Sequence, residues 1–241
     1  MNSSKHIAGE IRRFFKKAGK KKAVVGLSGG VDSALTTKLA VMALGKENVT
    51  ALILPNLDIN QTECVADAEK FAKALGIKYF TISINNATSP YKKLPWRTSG
   101  FADMNIQART RSLMLYHYAN SNDALVLGTG NKTELILGYF TKYGDGACDI
   151  LPIGGLYKTE VWEMSKELGL PEKIIKKTPS AGLIPGQTDE GEIGMPYIKM
   201  DEILKRFAKG IKPKTPAEKK LSKRIMANKH KSEMPPVIDV L

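Results

Sequence analysis

The sequence predicts an α/β fold: a parallel sheet of about five strands, helices on both faces, and a helical C-terminal part. Three observations carry this. Short apolar or β-branched runs alternate with helical patterns through the first two thirds of the chain. Gly45 and Gly76 stand where helices followed by strands usually stop. A glycine-rich stretch separates the first strand from the next helix.

The elements follow in order. Ser3 or Ser4 is placed to cap a first helix with Ile7, Ile11, Phe14, Phe15 and Ala18 on one face. The basic run 16–22 then ends that helix; lysines there complement the dipole, so a solvated helix end explains it better than a nucleic-acid patch. Residues 23–27, 49–55, 78–84 and 124–128 read as strands, and 151–153 as a fifth, short one. Helical patterns cover 33–44, 60–75 and 104–120. After residue 153 the pattern is helical, over 159–168, 171–176, 200–209 and 216–229. Thr215, Pro216 and Glu218 form the start signal of the last helix. Residues 85–102 and 180–196 lack periodicity, and loops this long are usually functional lids or disordered. The whole chain, 1–241, reads as one domain: a core over about 20–170 and a helical part over about 171–241.

Composition sets limits. The 241 residues are 42% hydrophobic, which suits a globular domain. No 18-residue apolar run and no secretory pattern occur, so a soluble cytoplasmic protein with no membrane partner is expected. Cys64 and Cys148 form no CxxC, and neither a disulfide framework nor a zinc or iron–sulfur site is indicated. The net charge of +13, from 37 Lys+Arg against 24 Asp+Glu, favours polyanionic ligands, either nucleic acid or phosphate-rich small molecules. No aromatic-rich strand suited to single-stranded nucleic acid is present.

Ser28-Gly29-Gly30-Val31-Asp32-Ser33 is the most informative stretch. Strand, turn and helix start follow one another there, aiming backbone N–H groups and a helix dipole at one point where an oxyanion fits. Gly29 and Gly30 let the backbone approach it, and Ser28 and Ser33 offer hydroxyl donors. Asp32 beside an anion makes sense if Mg²⁺ lies between them. Neither the Gly-Lys-Ser/Thr ending of a P-loop nor Gly-x-Gly-x-x-Gly occurs.

Two further constellations lie downstream. In residues 128–134, Glu134 falls in the first turn of a helix that starts near Asn131, at the same sheet edge as Asp32. Alone it reads as dipole complementation; paired with Asp32 it reads as a second magnesium ligand. In residues 141–149, Gly144 and Gly146 flank Asp145, with Asp149 following and Lys142 and Lys158 on either side. The preceding helix presents Arg109 and Arg111, either of which can fork onto a phosphate or carboxylate.

Residues 28–33 resemble the pyrophosphate loop of the adenylating ATP pyrophosphatases. Taken with residues 105–111, 128–134, 138–149, 156–158, 179–183, 187–190 and 230–231, the chain resembles the ammonia-dependent NAD synthetases over nearly its whole length. The first motif marks only the superfamily; Phe140 to Gly146, Gln187-Thr-Asp-Glu190 and His230-Lys231 are the selective ones. The resemblance implies a Rossmann-like (adenine nucleotide alpha hydrolase-like) sheet. It also implies a ligase that forms a C–N bond, making NAD, AMP and pyrophosphate from deamido-NAD, ATP and ammonia through an acyl-adenylate.

By the same resemblance, Gly26, Leu27, Ser28, Gly29, Gly30, Val31, Asp32 and Ser33 hold the ATP phosphates, and Asp32 and Glu134 bind Mg²⁺. Thr129, Lys158 and Ser180 match ATP-contacting positions. Arg109, Lys142, Asp149, His230 and Lys231 match deamido-NAD-contacting ones. Lys158 is a catalytic candidate; Asp145 either orients ammonia and takes its proton or only shapes the turn. Residues 180–196 are expected to be a lid that keeps water off the adenylate. The family implies a homodimer with active sites near the interface, for which the apolar face of the first helix and the tail 234–241 are candidate contacts. The tail can equally fold onto its own domain. The loop begins at residue 28, leaving no room for a preceding amidase domain, so free ammonia is the expected donor unless a separate glutaminase supplies it. Rival readings are a GMP synthetase-type amidase, a tRNA-modifying enzyme and a nucleotide sensor. The first expects a different C-terminal dimerisation segment, and the second expects cysteine pairs or an RNA-binding domain. Both metal carboxylates argue against the third.

Overall fold

The computed structural model describes residues 3–59, 62–184 and 186–238. Four parallel strands form one sheet in the order β3-β2-β1-β4: β1 (Lys22–Gly26), β2 (Val49–Ile53), β3 (Lys78–Thr81) and β4 (Ala124–Leu127). The first two are almost continuously apolar, as strands covered on both faces must be. The helices are α1 (Ser3–Lys17), α2 (Val31–Leu44), α3 (Thr62–Leu75), α4 (Asn85–Thr88), α5 (Gly100–Asn122), α6 (Lys132–Leu137), α7 (Lys158–Glu167), α8 (Glu172–Ile175), α9 (Asp189–Ile193), α10 (Tyr197–Ala208) and α11 (Pro216–Asn228). The order reverses between β1 and β4, and in open parallel sheets ligands bind beyond the strand ends at that reversal.

One face of the sheet carries the larger core, in which Val25, Leu27, Leu35, Leu39, Val161 and Ile174 pack together. The other face packs under α5 through Val24, Leu52, Ile84, Ala119 and Val126. A third cluster of Leu137, Tyr157, Ile193, Tyr197, Met200 and Leu221 holds α6, α9, α10 and α11 to one another.

The structure corrects several sequence expectations. The sheet has four strands, and residues 151–153 are not a fifth. The chain does come beside β4, but only at Ile150, which makes an isolated parallel bridge to Leu127. Pro152 has no N–H to extend that ladder, and Gly154 N turns back to Leu151 O (3.1 Å). The stretch 85–102 is not a plain loop: it holds α4, a 3₁₀ turn over Ser89–Lys93 and the start of α5. Ser99 Oγ accepts from Ala102 N (3.2 Å), so α5 begins well before residue 104. The stretch 180–196 likewise holds α9, capped by Thr188. Ser3 and Ser4 lie inside the first turn of α1 rather than capping it, and the expected start of α3 at residue 60 falls outside the described residues. The apolar face of α1 packs on α2 of its own chain, with Arg12 Nε reaching Ala43 O (3.1 Å), so that face is not free for a partner. Met234, Val237 and Ile238 remain exposed. Both cysteines are free.

Candidate active site

The Ser28–Ser33 turn leaves β1 and opens α2. Its two glycines have different reasons. Gly29 has φ +83°, and a Cβ there would lie 2.3 Å from the carbonyl oxygen of Cys64 at the start of α3. Gly30 is extended and has ordinary space. Gly29→Ala is therefore expected to cost about 2–4 kcal/mol, from left-handed strain plus overpacking, and a urea-unfolding midpoint equal to wild type would refute this. The serines are tied together: Ser33 Oγ donates to Gly30 O (2.9 Å) and accepts from Ser28 N (3.2 Å), and the two hydroxyls are 3.1 Å apart. No side chain caps α2, which leaves its first N–H groups facing the turn.

Beyond β4, Asn131 makes a capping box with Glu134: its Oδ1 accepts from Glu134 N (3.0 Å), and Glu134 Oε2 accepts from Asn131 N (3.2 Å). The same fully buried Asn131 donates through Nδ2 to Asp32 Oδ1 (2.9 Å). One asparagine thus ties the two strand-end turns together and sets the two carboxylates side by side. Between them lies Lys158, the first residue of α7 and 2% exposed. Its Nζ bonds Asp32 Oδ2 and stands 3.7 Å from Glu134 Oε1. Its backbone N donates to Thr133 Oγ1 (3.0 Å). Asp201 of α10 accepts from Thr133 Oγ1 (2.5 Å) and from Thr159 N (2.8 Å), which fixes α7 against α6.

Burial by itself would lower the lysine's pKa, but the facing Asp32 and Glu134 carboxylates outweigh it and hold the ammonium well above its usual range. Glu134 is raised, first by burial and then by the Asp32 charge. A third carboxylate, Asp189 of α9, comes close behind. It is 4% exposed and accepts from Tyr197 Oη (2.9 Å) and Tyr139 Oη (3.1 Å); burial raises its pKa. Two carboxylates thus flank one ammonium while a third bears on it electrostatically, and this surplus of negative charge with oxygen donors fits a divalent cation. Among the described residues no group of three or more His, Cys, Asp or Glu side chains is placed to hold a metal unaided, so a cation there would need oxygen donors from outside the protein.

A second cluster is cationic. Lys142 Nζ donates to His230 O (2.7 Å), Lys231 Nζ to Gly138 O (2.8 Å) and Phe140 O (3.1 Å), and Arg109 reaches Lys142 O at 3.4 Å. The 3₁₀ turn Lys229–Lys231 after α11 therefore docks on residues 138–142. Gly138, at φ +61°, makes room: a Cβ there would lie 2.2 Å from Asn228 Cβ. Every one of these bonds goes to a neutral carbonyl. Among the described residues none of these three cations makes an ion pair, although Asp145 bears on the Lys231 charge, and the cluster suits an anionic ligand.

The other predicted residues are dispersed. Gly26 ends β1 and Leu27 is core, while Val31 opens α2. Thr129 lines a cavity of about 40 Å³ with Glu134, Phe140 and Asp145. Asp145 Oδ1 accepts from Thr141 N (2.9 Å), so it shapes its turn as well as facing that cavity. Asp149 accepts from Val126 N (2.7 Å) and from Tyr116 Oη (3.4 Å). Arg111 donates through Nε to Leu54 O (2.9 Å), which ties α5 to the end of β2. Ser180 stands on an exposed turn and accepts from Gly182 N (3.1 Å). No chemical role is read from the sequence for Asn131, Thr133, Asp189 or Asp201. Asn131 enters there only as a helix start, Thr133 and Asp189 only inside the motifs 128–134 and 187–190, and Asp201 in no motif.

A parallel sheet with an anion turn and paired carboxylates at its reversal defines an α/β nucleotide-binding protein. A family model described as NAD synthase matches residues 4–235. An NH(3)-dependent NAD(+) synthetase of Methanosarcina mazei is 46% identical, covering 98% of this chain and 97% of that relative. Among solved structures, an NMN synthetase from Francisella tularensis superposes with a TM-score of 0.90 at 37% identity, over 98% of this chain and 97% of the other. An NH3-dependent NAD synthetase from Campylobacter jejuni, in complex with the nitrate ion, has a TM-score of 0.83 at 34% identity over the same shares. The chain belongs to the NAD synthase family.

Proposed function

We propose that the chain joins ammonia to the nicotinate carboxylate of deamido-NAD through an acyl-adenylate, with cleavage of ATP to AMP and pyrophosphate. The observation that supports this most is the presence of two clusters, linked by α6 and the residues that follow it. Asp32, Glu134 and Lys158 gather at the strand ends, and the cations Arg109, Lys142 and Lys231 gather at residues 138–142 and 229–231. The first suits ATP phosphates and the second an anionic dinucleotide.

The nicotinate carboxylate is a poor electrophile because its oxygen is a poor leaving group. Its attack on the α-phosphorus makes that oxygen part of AMP, and ammonia then displaces AMP. Both substrates are anions, so their approach needs positioned cations. Lys158, rigidly held and fully charged, meets the phosphate charge; the α2 N-terminus and the Ser28–Ser33 turn receive the pyrophosphate. Mg²⁺ held by Asp32 and Glu134 would neutralise phosphate charge when bound. Thr129 and Ser180 complete the ATP contacts; Asp149 and His230 join the cation cluster around deamido-NAD. The cavity beside Thr129, Glu134 and Asp145 has room for a water-sized molecule, which suits ammonia. Residues 180–196 act as the lid, pinned by Asp189 and by Gln107 Nε2 on Leu183 O (3.1 Å). Free ammonia is the nitrogen source, a separate glutaminase being a possible supplier, and the chain works as one synthetase domain in a cytoplasmic homodimer. Among the described residues no helix is long and apolar enough to cross a membrane.

Incubation with ATP, Mg²⁺, ammonium and deamido-NAD should yield NAD, AMP and pyrophosphate in equal amounts. Because a structural relative is an NMN synthetase, nicotinate mononucleotide belongs in the same assay as the competing acceptor. ATP turnover only with tRNA or xanthosine monophosphate would sink the reading. Lys231→Ala should raise KM for deamido-NAD about tenfold while leaving KM for ATP within about twofold. The reverse split would place the C-terminal turn at the wrong substrate.

A further inference from the structure

We infer that Lys177, in the segment between α8 and the lid, is a positioning residue for the pyrophosphate turn. The inference rests on the reading that residues 28–33 hold the ATP phosphates. Lys177 Nζ donates to Gly29 O (3.2 Å) and pairs with Asp67 Oδ2 (2.7 Å) on α3, with Cys64 Sγ at 3.6 Å. Its side chain is half-buried and Asp67 is nearly buried, so the contact is held against the protein.

The consequence follows from peptide geometry. In a trans peptide the C=O and the following N–H point in opposite directions. The carbonyl of the Gly29–Gly30 peptide faces Lys177, so its N–H, on Gly30, faces away from it. Among the described residues that N–H meets Ser28 Oγ alone, at 3.3 Å, a long bond that a phosphate oxygen can replace. Gly29 sits at φ +83°, and a glycine peptide of this kind turns over easily when nothing holds its carbonyl. The ammonium supplies that hold by a charge-assisted bond, and it also sets a positive charge behind the turn. Lys177 further joins the turn to the lid: two residues on, Pro179 O accepts from Asp189 N (3.0 Å). Lys177 does not touch the reacting atoms in this account; it acts through the Gly29–Gly30 peptide.

Steady-state kinetics on the full-length enzyme test it. Lys177→Met keeps the apolar stem and removes the donor. It is expected to raise KM for ATP about tenfold, the loss of roughly one charge-assisted hydrogen bond, with KM for deamido-NAD within about twofold. Lys177→Arg should recover most of the ATP affinity. Asp67→Asn, which removes the ion pair but leaves Lys177 free to reach Gly29 O, should keep KM for ATP within about twofold of wild type. Equal changes in both KM values, an unchanged KM for ATP in Lys177→Met, or an ATP defect reproduced by Asp67→Asn would each overturn the inference. Should Lys177→Met fail to fold, Lys177→Gln, which keeps a donor without the charge, takes its place: an ATP-selective defect supports the inference and its absence overturns it. Asp32→Asn run alongside separates the two levels. If it spares ATP use, the phosphate reading of the turn falls, and the inference with it. If it damages ATP use while the Lys177 variants do not, only the inference falls.

Discussion

Replacing Lys158 by Met should lower kcat for adenylation by about 10³, the scale seen when one preorganised electrostatic contact to a transition state is removed. The side chain is 2% exposed, held by Asp32 and Glu134, and lies 5.2 Å from the Tyr197 ring centre, so in the proposed role it would meet the phosphates already oriented. No reorganisation is needed when negative charge develops there, which is why a preset ammonium outperforms a mobile one. The same substitution removes the cation between two carboxylates. Breaking a buried ion pair from one side costs about 3–5 kcal/mol. Here the lower end applies, because Asp32 and Glu134 are 19% and 17% exposed and can draw on water or a proton. The two effects separate experimentally. Pyrophosphate release under saturating substrates reads the first, and urea unfolding of the substrate-free protein reads the second. Lys158→Arg should not restore the rate, since a planar guanidinium cannot take the place of a compact ammonium between two carboxylates. Pyrophosphate release above a tenth of the wild-type rate in Lys158→Met would remove Lys158 from the mechanism.

How much of this was legible depends on whether the signal is local. The turn at residues 28–33 was readable because strand, glycines and helix start are contiguous. Asp32 and Glu134 were placed at one sheet edge by topology alone, since each opens a helix after a strand and parallel strands put those ends together. The four strands were readable as apolar runs, but the fifth was not excluded. Whether residues 151–153 form a strand beside β4 depends on a Pro152 ring and a turn at Gly154 that act over two residues, below the reach of periodicity. The helical content of 85–102 and 180–196 was missed because α4 and α9 span four and five residues, too few to show a period. For Asp189, which only the 187–190 motif marks, and for Asp201 and Lys177, the contacts were invisible for another reason. Their partners lie 50, 68 and 148 residues away at Tyr139, Thr133 and Gly29, and no spacing rule links such positions. Residues 230–231 were reached only through family resemblance. Their docking on 138–142 explains why that resemblance extends to the chain's end.

The substitution Glu134→Gln sets function against stability. Its amide oxygen can still accept from Asn131 N, so the capping box survives, but a negative charge is lost from the site proposed to hold Mg²⁺. Activity should fall about 10²-fold or more, and the Mg²⁺ concentration for half-maximal rate should rise. The substrate-free protein should move the other way. Burial and the Asp32 charge raise Glu134 from 4.5 to about 8, so its ionised form is disfavoured in the folded state. Its contribution to stability is therefore full below about pH 4.5 and is lost as pH rises through about 8. Gln carries no such loss. The gap in unfolding temperature between Glu134→Gln and wild type should widen in favour of the variant across that window, reaching about 1 kcal/mol, or ~2–4 °C, at the alkaline end. The full linkage is not expected, because the Glu134 side chain is 17% exposed and water eases its ionisation. A gap that stays constant from pH 5 to about 9 would show that Glu134 ionises freely in the fold. In that case the carboxylates at the ends of β1 and β4 would carry no stored electrostatic cost for magnesium to relieve.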